Sequence, residues 1–161
     1  MESITYRPIG IVHSPFTTLE GMPLQTIAAE GVRGSVEIEP AFGEGLRDLD
    51  GFSHVILLTH LHQMSGFALE VTPYLDVQTH GIFATRSPRR PNPLGLSVVR
   101  LIAVEGCTLL IEDVDVLDGT PLLDLKPYVP LFDARATDRI GWFADRLDRI
   151  HTARADQRFT P

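Results

Sequence analysis

The chain has 161 residues, a formal net charge of -7, 43% hydrophobic residues and 22% charged residues. That length and balance suit one domain, residues 1–161, with a sizeable core, and the acidity argues against DNA binding or broad, non-specific attachment to nucleic acid. No apolar run approaches the ~20 residues of a membrane helix, the first residues lack the basic start and apolar stretch of a secretory signal, and the lone Cys107 allows no internal disulfide, so a cytoplasmic setting with no membrane partner is expected.

Read in chain order, strand patterns dominate. SITYRPIGIVHS is β-rich and interrupted by Pro8, as at an edge or bulge. Residues 14–31, SPFTTLEGMPLQTIAAEG, have no regular period, and so long a connection in a small domain is usually functional or disordered. RGSVEIEP alternates Val36 and Ile38 with polar neighbours. AFGEGLRDLDG places Phe42, Leu46 and Leu49 at helical spacing before a stop at Gly51, which predicts a short helix. HVILLTHLHQ reads as a strand with His60 and His62 on one face. THGIFAT, SVVRLIAVEG and CTLLIEDVDVL read as further strands, with Cys107 buried in the last. Glu105-Gly106 and Asp118-Gly119 read as hairpin turns. TDRIGWFADRLDRIHTAR sets Ile140, Phe143, Leu147 and Ile150 on one face, predicting a C-terminal helix and tail over 136–161. The expected fold class is mainly β: a small antiparallel β-barrel with a short helix and a C-terminal helix.

Motifs of several enzyme classes are missing. No GxGxxG follows a strand, and there is no GxxxxGK[ST], HExxH or GxSxG. What stands out is RSPRRPNPLGLS, residues 86–97, with three arginines and three prolines in its first eight positions. Pro88, Pro91 and Pro93 fix φ and push the residues before them to extended backbone, so the connector is preorganised. Guanidinium forks bind carboxylates and phosphates in a bidentate way, and rigid presentation of such groups is what a ligand site needs. His60 and His62 have no third ligand at a defined spacing among His54, Asp76 and His80, so no metal is expected. Asp118-Gly119-Thr120-Pro121 is a turn whose backbone and hydroxyl can hold a polar ligand, with Asp113, Asp115, Asp124, Lys126 and Tyr128 nearby in sequence. The arginines that alternate with Asp138, Asp145 and Asp148 read as a solvated helix face.

GIFATRSPRRPNPLGLSVVRL followed by LDGTPLLDLKPYVP, together with RPIGIVHSPF and DGFSHVILLTHLHQ, resembles the TsaA-like family of TrmO/YaeB-type tRNA adenine N6-methyltransferases, from about Ile4 to Trp142. The resemblance implies a homodimeric antiparallel barrel that binds S-adenosyl-L-methionine without a Rossmann fold, acting on a tRNA adenosine that carries a threonylcarbamoyl group. It implies cofactor contacts at Pro23, Leu24, Gln25, His62, Gln63, Arg86, Leu96, Leu117, Asp118, Gly119 and Thr120. Arg89, Arg90 and Asn92 are expected to face the acceptor. The proton acceptor is left open among Asp118, His62 and Tyr128. Family members often carry P-R-Q where this chain has Pro23-Leu24-Gln25, and long bacterial members have an additional C-terminal domain.

Overall fold

The computed structural model describes residues 2–159. Six strands close on themselves: β1 (Gly10–His13), β2 (Arg33–Ile38), β3 (His54–His60), β6 (Leu94–Glu105), β7 (Thr108–Glu112) and β8 (Thr120–Pro127) form an antiparallel barrel in the order β1-β2-β7-β6-β3-β8. A small hairpin of β4 (Glu70–Val71) and β5 (His80–Gly81) stands beside it. Among the described residues no helix is long and apolar enough to cross a membrane.

The barrel follows from strict alternation. In β3, Val55, Leu57 and Thr59 are buried while their neighbours are half-exposed, the period-2 pattern of a strand with one face on the core. Val12, Val36, Val99, Leu109, Ile111 and Leu122 fill the same interior from the other strands. Each such side chain contributes roughly 1.5–3 kcal/mol by leaving water. β6 is long enough to serve two neighbours: its first half pairs with β3 and its second half with β7. The β6–β7 register shifts between Leu101 and Ala103, which leaves Ile102 as an extra, exposed residue where the strand bends.

The two ends of the barrel differ. At one, the β6–β7 turn lies beside the 3-10 run Pro40–Leu46, and Leu46 and Leu49 plug the opening. At the other, the ends of β1, β3 and β7 and the starts of β2, β6 and β8 form an open rim. A second small core joins Val71, Ile82 and Phe159, so the C-terminal tail is tied to the β4–β5 hairpin. The tail also pairs with the long connection after β1: Gly21 N–H donates to Ala155 O at 2.8 Å and Ala155 N–H to Met22 O at 2.9 Å.

In several places the structure departs from what the sequence pattern predicts. The C-terminal helix is absent; Gly141–Asp145 and Leu147–Arg149 are short 3-10 turns. Gly141 takes a left-handed φ of 61°, and Ile140 and Leu147 are 40% and 47% exposed. The apolar periodicity therefore has no surface to bury a helix against, and an isolated helix this short is marginal. Trp142 docks instead, stacked on His80 with ring centroids 4.6 Å apart. The short helix expected at residues 41–51 is 3-10 rather than α. β3 stops at His60, and Leu61–Gln63 turn away, so His60 and His62 do not share a strand face. THGIFAT keeps only two residues of strand before a 3-10 turn at Ile82–Ala84. The hairpin turn is Gly106-Cys107, since Glu105 pairs with Thr108, so Cys107 is a half-buried turn residue. Asp118-Gly119 does not make a β7–β8 hairpin; those strands are not neighbours, and residues 113–119 cross the open rim.

Candidate functional site

The open rim is lined by connections rather than by strand faces. Four meet there: the 14–31 connection, the turn after β3, the proline-rich segment before β6 and the crossing segment before β8. Together they enclose a cleft whose walls include Leu19, Met22, Leu61, Met64 and Pro88, with His62, Gln63, Asp115, Leu117 and Thr120 supplying the polar groups and one further wall. Four residues expected from the sequence, His62, Gln63, Leu117 and Thr120, thus come together.

The edge of the cleft is tied by Arg86, whose Nη1 donates to Gln25 Oε1. Gln25 Nε2 donates in turn to Leu24 O at 2.6 Å. Pro23 is buried and bridges to Arg154, which fixes the segment against the tail. Thr120 Oγ1 donates to Leu117 O at 2.7 Å and closes the turn around Asp118-Gly119. Gly119 has a φ of 76°, a conformation that suits glycine, and its N–H reaches Val12 O at 3.0 Å.

Asp118 occupies the outer side of that turn. Its Oδ1 accepts from Ser14 N–H at 3.2 Å and lies 3.1 Å from His13 Nδ1. The Ser14 amide first, then His13, hold its carboxyl below the usual range. Asp118 therefore fastens β1 to the turn, with its carboxylate already engaged. Tyr128 is at the opposite end of the barrel, its ring edge against His54. It directly follows β8, which begins at Thr120, so about 25 Å of extended chain lies between the two. Leu96 is 56% exposed on the face of β6 opposite Ser97, outside the cleft.

The arginine-rich segment divides its labour. Arg90 is half-buried, and its Nη1 donates to Thr85 O at 2.8 Å and Ile82 O at 3.2 Å. It holds its own loop together, a role the prolines had suggested for themselves. Arg89 and Asn92 are exposed; the Asn92 carbonyl accepts from Leu94 N–H at 2.8 Å.

Asp115 stands out in the sequence only as an acidic neighbour of the Asp118-Gly119 turn, with no role of its own. Val114 and Val116 point into the core, so the alternation of DVDV turns Asp115 the other way, toward the cleft. Ser97 Oγ donates to its Oδ1 at 2.6 Å. Burial pushes its carboxyl up to about 6; the Ser97 hydrogen bond and the Arg86 charge oppose that rise. The alternating pattern was the available clue, together with a serine in the strand start that follows the prolines.

S-adenosyl-L-methionine carries a sulfonium, an amino group and a carboxylate on a largely apolar frame. The cleft matches this: thioether and aliphatic walls, one carboxylate for positive charge, and a guanidinium at the edge for negative charge. Ser87 Oγ, between Arg86 and Pro88, is buried without a hydrogen-bond partner among the described residues, a polar atom that a ligand at this edge would satisfy. Among the described residues no three of His, Cys, Asp and Glu converge as a metal-binding group.

A closed antiparallel barrel with a ligand cleft built from rim connections is a single-barrel binding domain, distinct from the parallel-sheet nucleotide folds. The chain belongs to the tRNA-methyltransferase O N-terminal domain family, which matches residues 11–134. It is 53% identical over 156 residues to a probable S-adenosyl-L-methionine-binding protein of Pyrococcus abyssi, covering 97% of this chain and 85% of that one. It is 36% identical to the mouse tRNA (adenine(37)-N6)-methyltransferase over 80% of this chain and 31% of the mouse protein. The crystal structure of TrmO from Pseudomonas aeruginosa superposes with a TM-score of 0.74 at 40% identity, over 88% of this chain and 63% of that one. The chain thus spans about a third of the mouse enzyme and less than two thirds of the bacterial one.

Proposed function

We propose that this protein is an S-adenosyl-L-methionine-dependent methyltransferase that acts on N6 of a threonylcarbamoyl-bearing adenosine beside the tRNA anticodon, as a cytoplasmic homodimer. The observation that carries the reading is the convergence of His62, Gln63, Leu117 and Thr120 with Asp115 on one rim cleft, in a family with one relative named for binding this cofactor and another for N6 methylation of tRNA adenine 37.

When bound, the cofactor supplies an electrophilic methyl group on a positively charged sulfur. The chain's own contribution is alignment, the main source of rate in a displacement of this kind. Gln25 and Arg86, already joined, would hold the cofactor's carboxylate, and the turn from Leu117 to Thr120 would face its other polar groups. Leu19, Met22 and Leu61 would exclude water around the sulfur. An adenine N6 nitrogen is a weak nucleophile because its lone pair is delocalised, so a nearby proton acceptor assists the transfer. Within the cleft that acceptor is Asp115 or His62; Asp118 is engaged by Ser14 and His13, and Tyr128 is at the far end of the barrel. An unpaired anticodon-loop base suits such a site, because it need not be pulled from a duplex.

The acidity of the chain, -7 overall, favours a second reading in which the same cofactor serves a small-molecule acceptor. Incubation with methyl-labelled S-adenosyl-L-methionine and total cellular RNA separates the two. Label in a tRNA adenosine, located by nucleoside mass spectrometry, is expected. Label confined to small molecules would overturn the tRNA reading, and no label in any fraction would overturn methyl transfer itself.

A further inference from the structure

Next to the cleft is an exposed surface outside the cleft lining. Phe67 is 61% exposed, Leu69 64% and Phe83 75%. They are one patch, because the chain ties them together: Ile82 N–H donates to Leu69 O at 2.8 Å, and Ala68 N–H to Arg89 O at 3.2 Å. Ala68 turns inward against the second core, so Phe67 and Leu69 on either side of it face outward. The Arg90 guanidinium stands 5.9 Å from the centre of the Phe83 ring. Pro88, one residue before Arg89, forms part of the cleft wall. The patch therefore begins where the cleft ends.

Two exposed phenylalanine rings, one of them with the Arg90 guanidinium beside it, and an exposed Arg89 in the same stretch put π-faces and positive charge together in a chain of net charge -7. That is the composition of a single-strand platform: bases stack on aromatic rings while cations follow the phosphates. Protein interfaces are also enriched in aromatic residues and arginine; what favours RNA here is the place of the patch, beside the cleft that the target base would enter. Resting on the tRNA reading above, we propose that Phe67, Leu69, Phe83, Arg89 and Arg90 form a stacking platform for the unpaired nucleotides that flank the target base as it enters the cleft. Arg90, held by Ile82 O and Thr85 O, keeps the Phe83 ring and the loop in register. Arg89 supplies the charge that meets the backbone.

The experiment measures binding of an RNA stem-loop that carries the target adenosine in its loop, with a blunt RNA duplex as control and S-adenosyl-L-methionine binding as a separate readout. Phe67→Ala and Phe83→Ala are each expected to weaken stem-loop binding by roughly five- to a hundred-fold, with cofactor and duplex binding unchanged. Phe83→Tyr, which keeps a ring, is expected to restore it. Arg89→Ala is expected to flatten the salt dependence of binding by about one phosphate contact. Wild-type affinity in both phenylalanine variants would overturn the platform, as would a wild-type protein that does not bind the stem-loop. Dissociation of a dimer in these variants would also overturn it and make the patch a subunit contact. Wild-type protein that binds the stem-loop through these residues but transfers no methyl group would leave the platform standing and remove the catalytic reading.

Discussion

Arg86 donates a hydrogen bond to the Gln25 side-chain carbonyl across 61 residues of chain. The contact joins the proline-rich segment to the connection after β1, both of which lie outside the barrel strands. Arg86→Ala removes both the bond and the charge at the edge of the cleft. Loss of a charge-assisted hydrogen bond of this kind corresponds to about ten- to a hundred-fold weaker S-adenosyl-L-methionine binding. Calorimetry measures it directly, and an unchanged dissociation constant would remove Arg86 from the site.

Asp115 gives a pH dependence. Its folded carboxyl titrates at about 6 against an ordinary 3.8, so the folded state holds the proton more tightly than the unfolded chain does. Above pH 6 the buried charge lowers stability; as pH falls from 6 to 4 that penalty disappears. Asp115→Asn is therefore expected to raise stability at pH 8 by of order 1–3 kcal/mol, while leaving it unchanged near pH 4, and to impair methyl transfer. Denaturant titrations at the two pH values check the first part. Equal effects of the substitution at both would contradict it.

The tail carries its own reporter, because Trp142 is the single tryptophan. It stacks on His80, its Nε1 donates to Ala84 O at 2.8 Å, and His80 in turn meets Asp76 Oδ2 at 3.0 Å. The His80 hydrogen bond, above all, holds the Asp76 carboxyl down at about 2. A lowered carboxyl supports the fold above pH 3.8 and loses that support as pH falls toward 2. Trp142 emission should shift to the red across that window in the wild type and should already be shifted to the red at neutral pH in Asp76→Asn, which has no carboxylate to hold His80. An emission maximum indifferent to Asp76→Asn would show that the clamp does not depend on this pair.

Gly95 packs β6 against the end of β3. A Cβ there would sit 2.4 Å from Thr59 Oγ1 and 3.1 Å from Leu61 Cδ2. Thr59 is fully buried, so it has little room to yield. Gly95→Ala should cost about 1–3 kcal/mol through overpacking and weaken cofactor binding by displacing Leu61 and His62. Thermal melts and calorimetry on the same variant measure both; a variant with wild-type melting and affinity would contradict the tight fit.

The homodimer has a separate test. Ile27, Leu94 and Leu96 are 58%, 48% and 56% exposed near the rim, an apolar surface that a second subunit can cover. Light scattering at micromolar concentration is expected to give twice the chain mass, with cofactor affinity falling on dilution as mass action requires. Monomers that bind the cofactor at full strength would rule out a shared site.

The barrel was legible where alternation is local: Val36 and Ile38 announce their face by their spacing alone, whereas in the apolar run of residues 55–58 only the fold shows that Val55 and Leu57 face the core. The cleft was legible in pieces, since RSPRRPNP and LDGT are unusual strings whose meeting on one rim depends on strand order. Ile140, Phe143 and Leu147 have helical spacing, but spacing does not say whether a surface exists to receive them. The hold of Ile82 O and Thr85 O on Arg90 is hidden for a related reason, because sequence does not show which backbone carbonyls a guanidinium will meet. The setting of Asp115 is hidden for the converse reason. Its environment is made by Ser97 and Arg86, which only folding brings to it.

The pairing of Gly21 and Met22 with Ala155 has one more consequence. These amides open to solvent only when tail and connection part, so the two strips share one protection factor against hydrogen exchange. A ligand that grips Gln25 steadies the connection and, through it, the tail. The amide of Ala155, which is outside the cleft lining, should then exchange more slowly when the cleft is filled, making the far end of the chain a gauge of its occupancy.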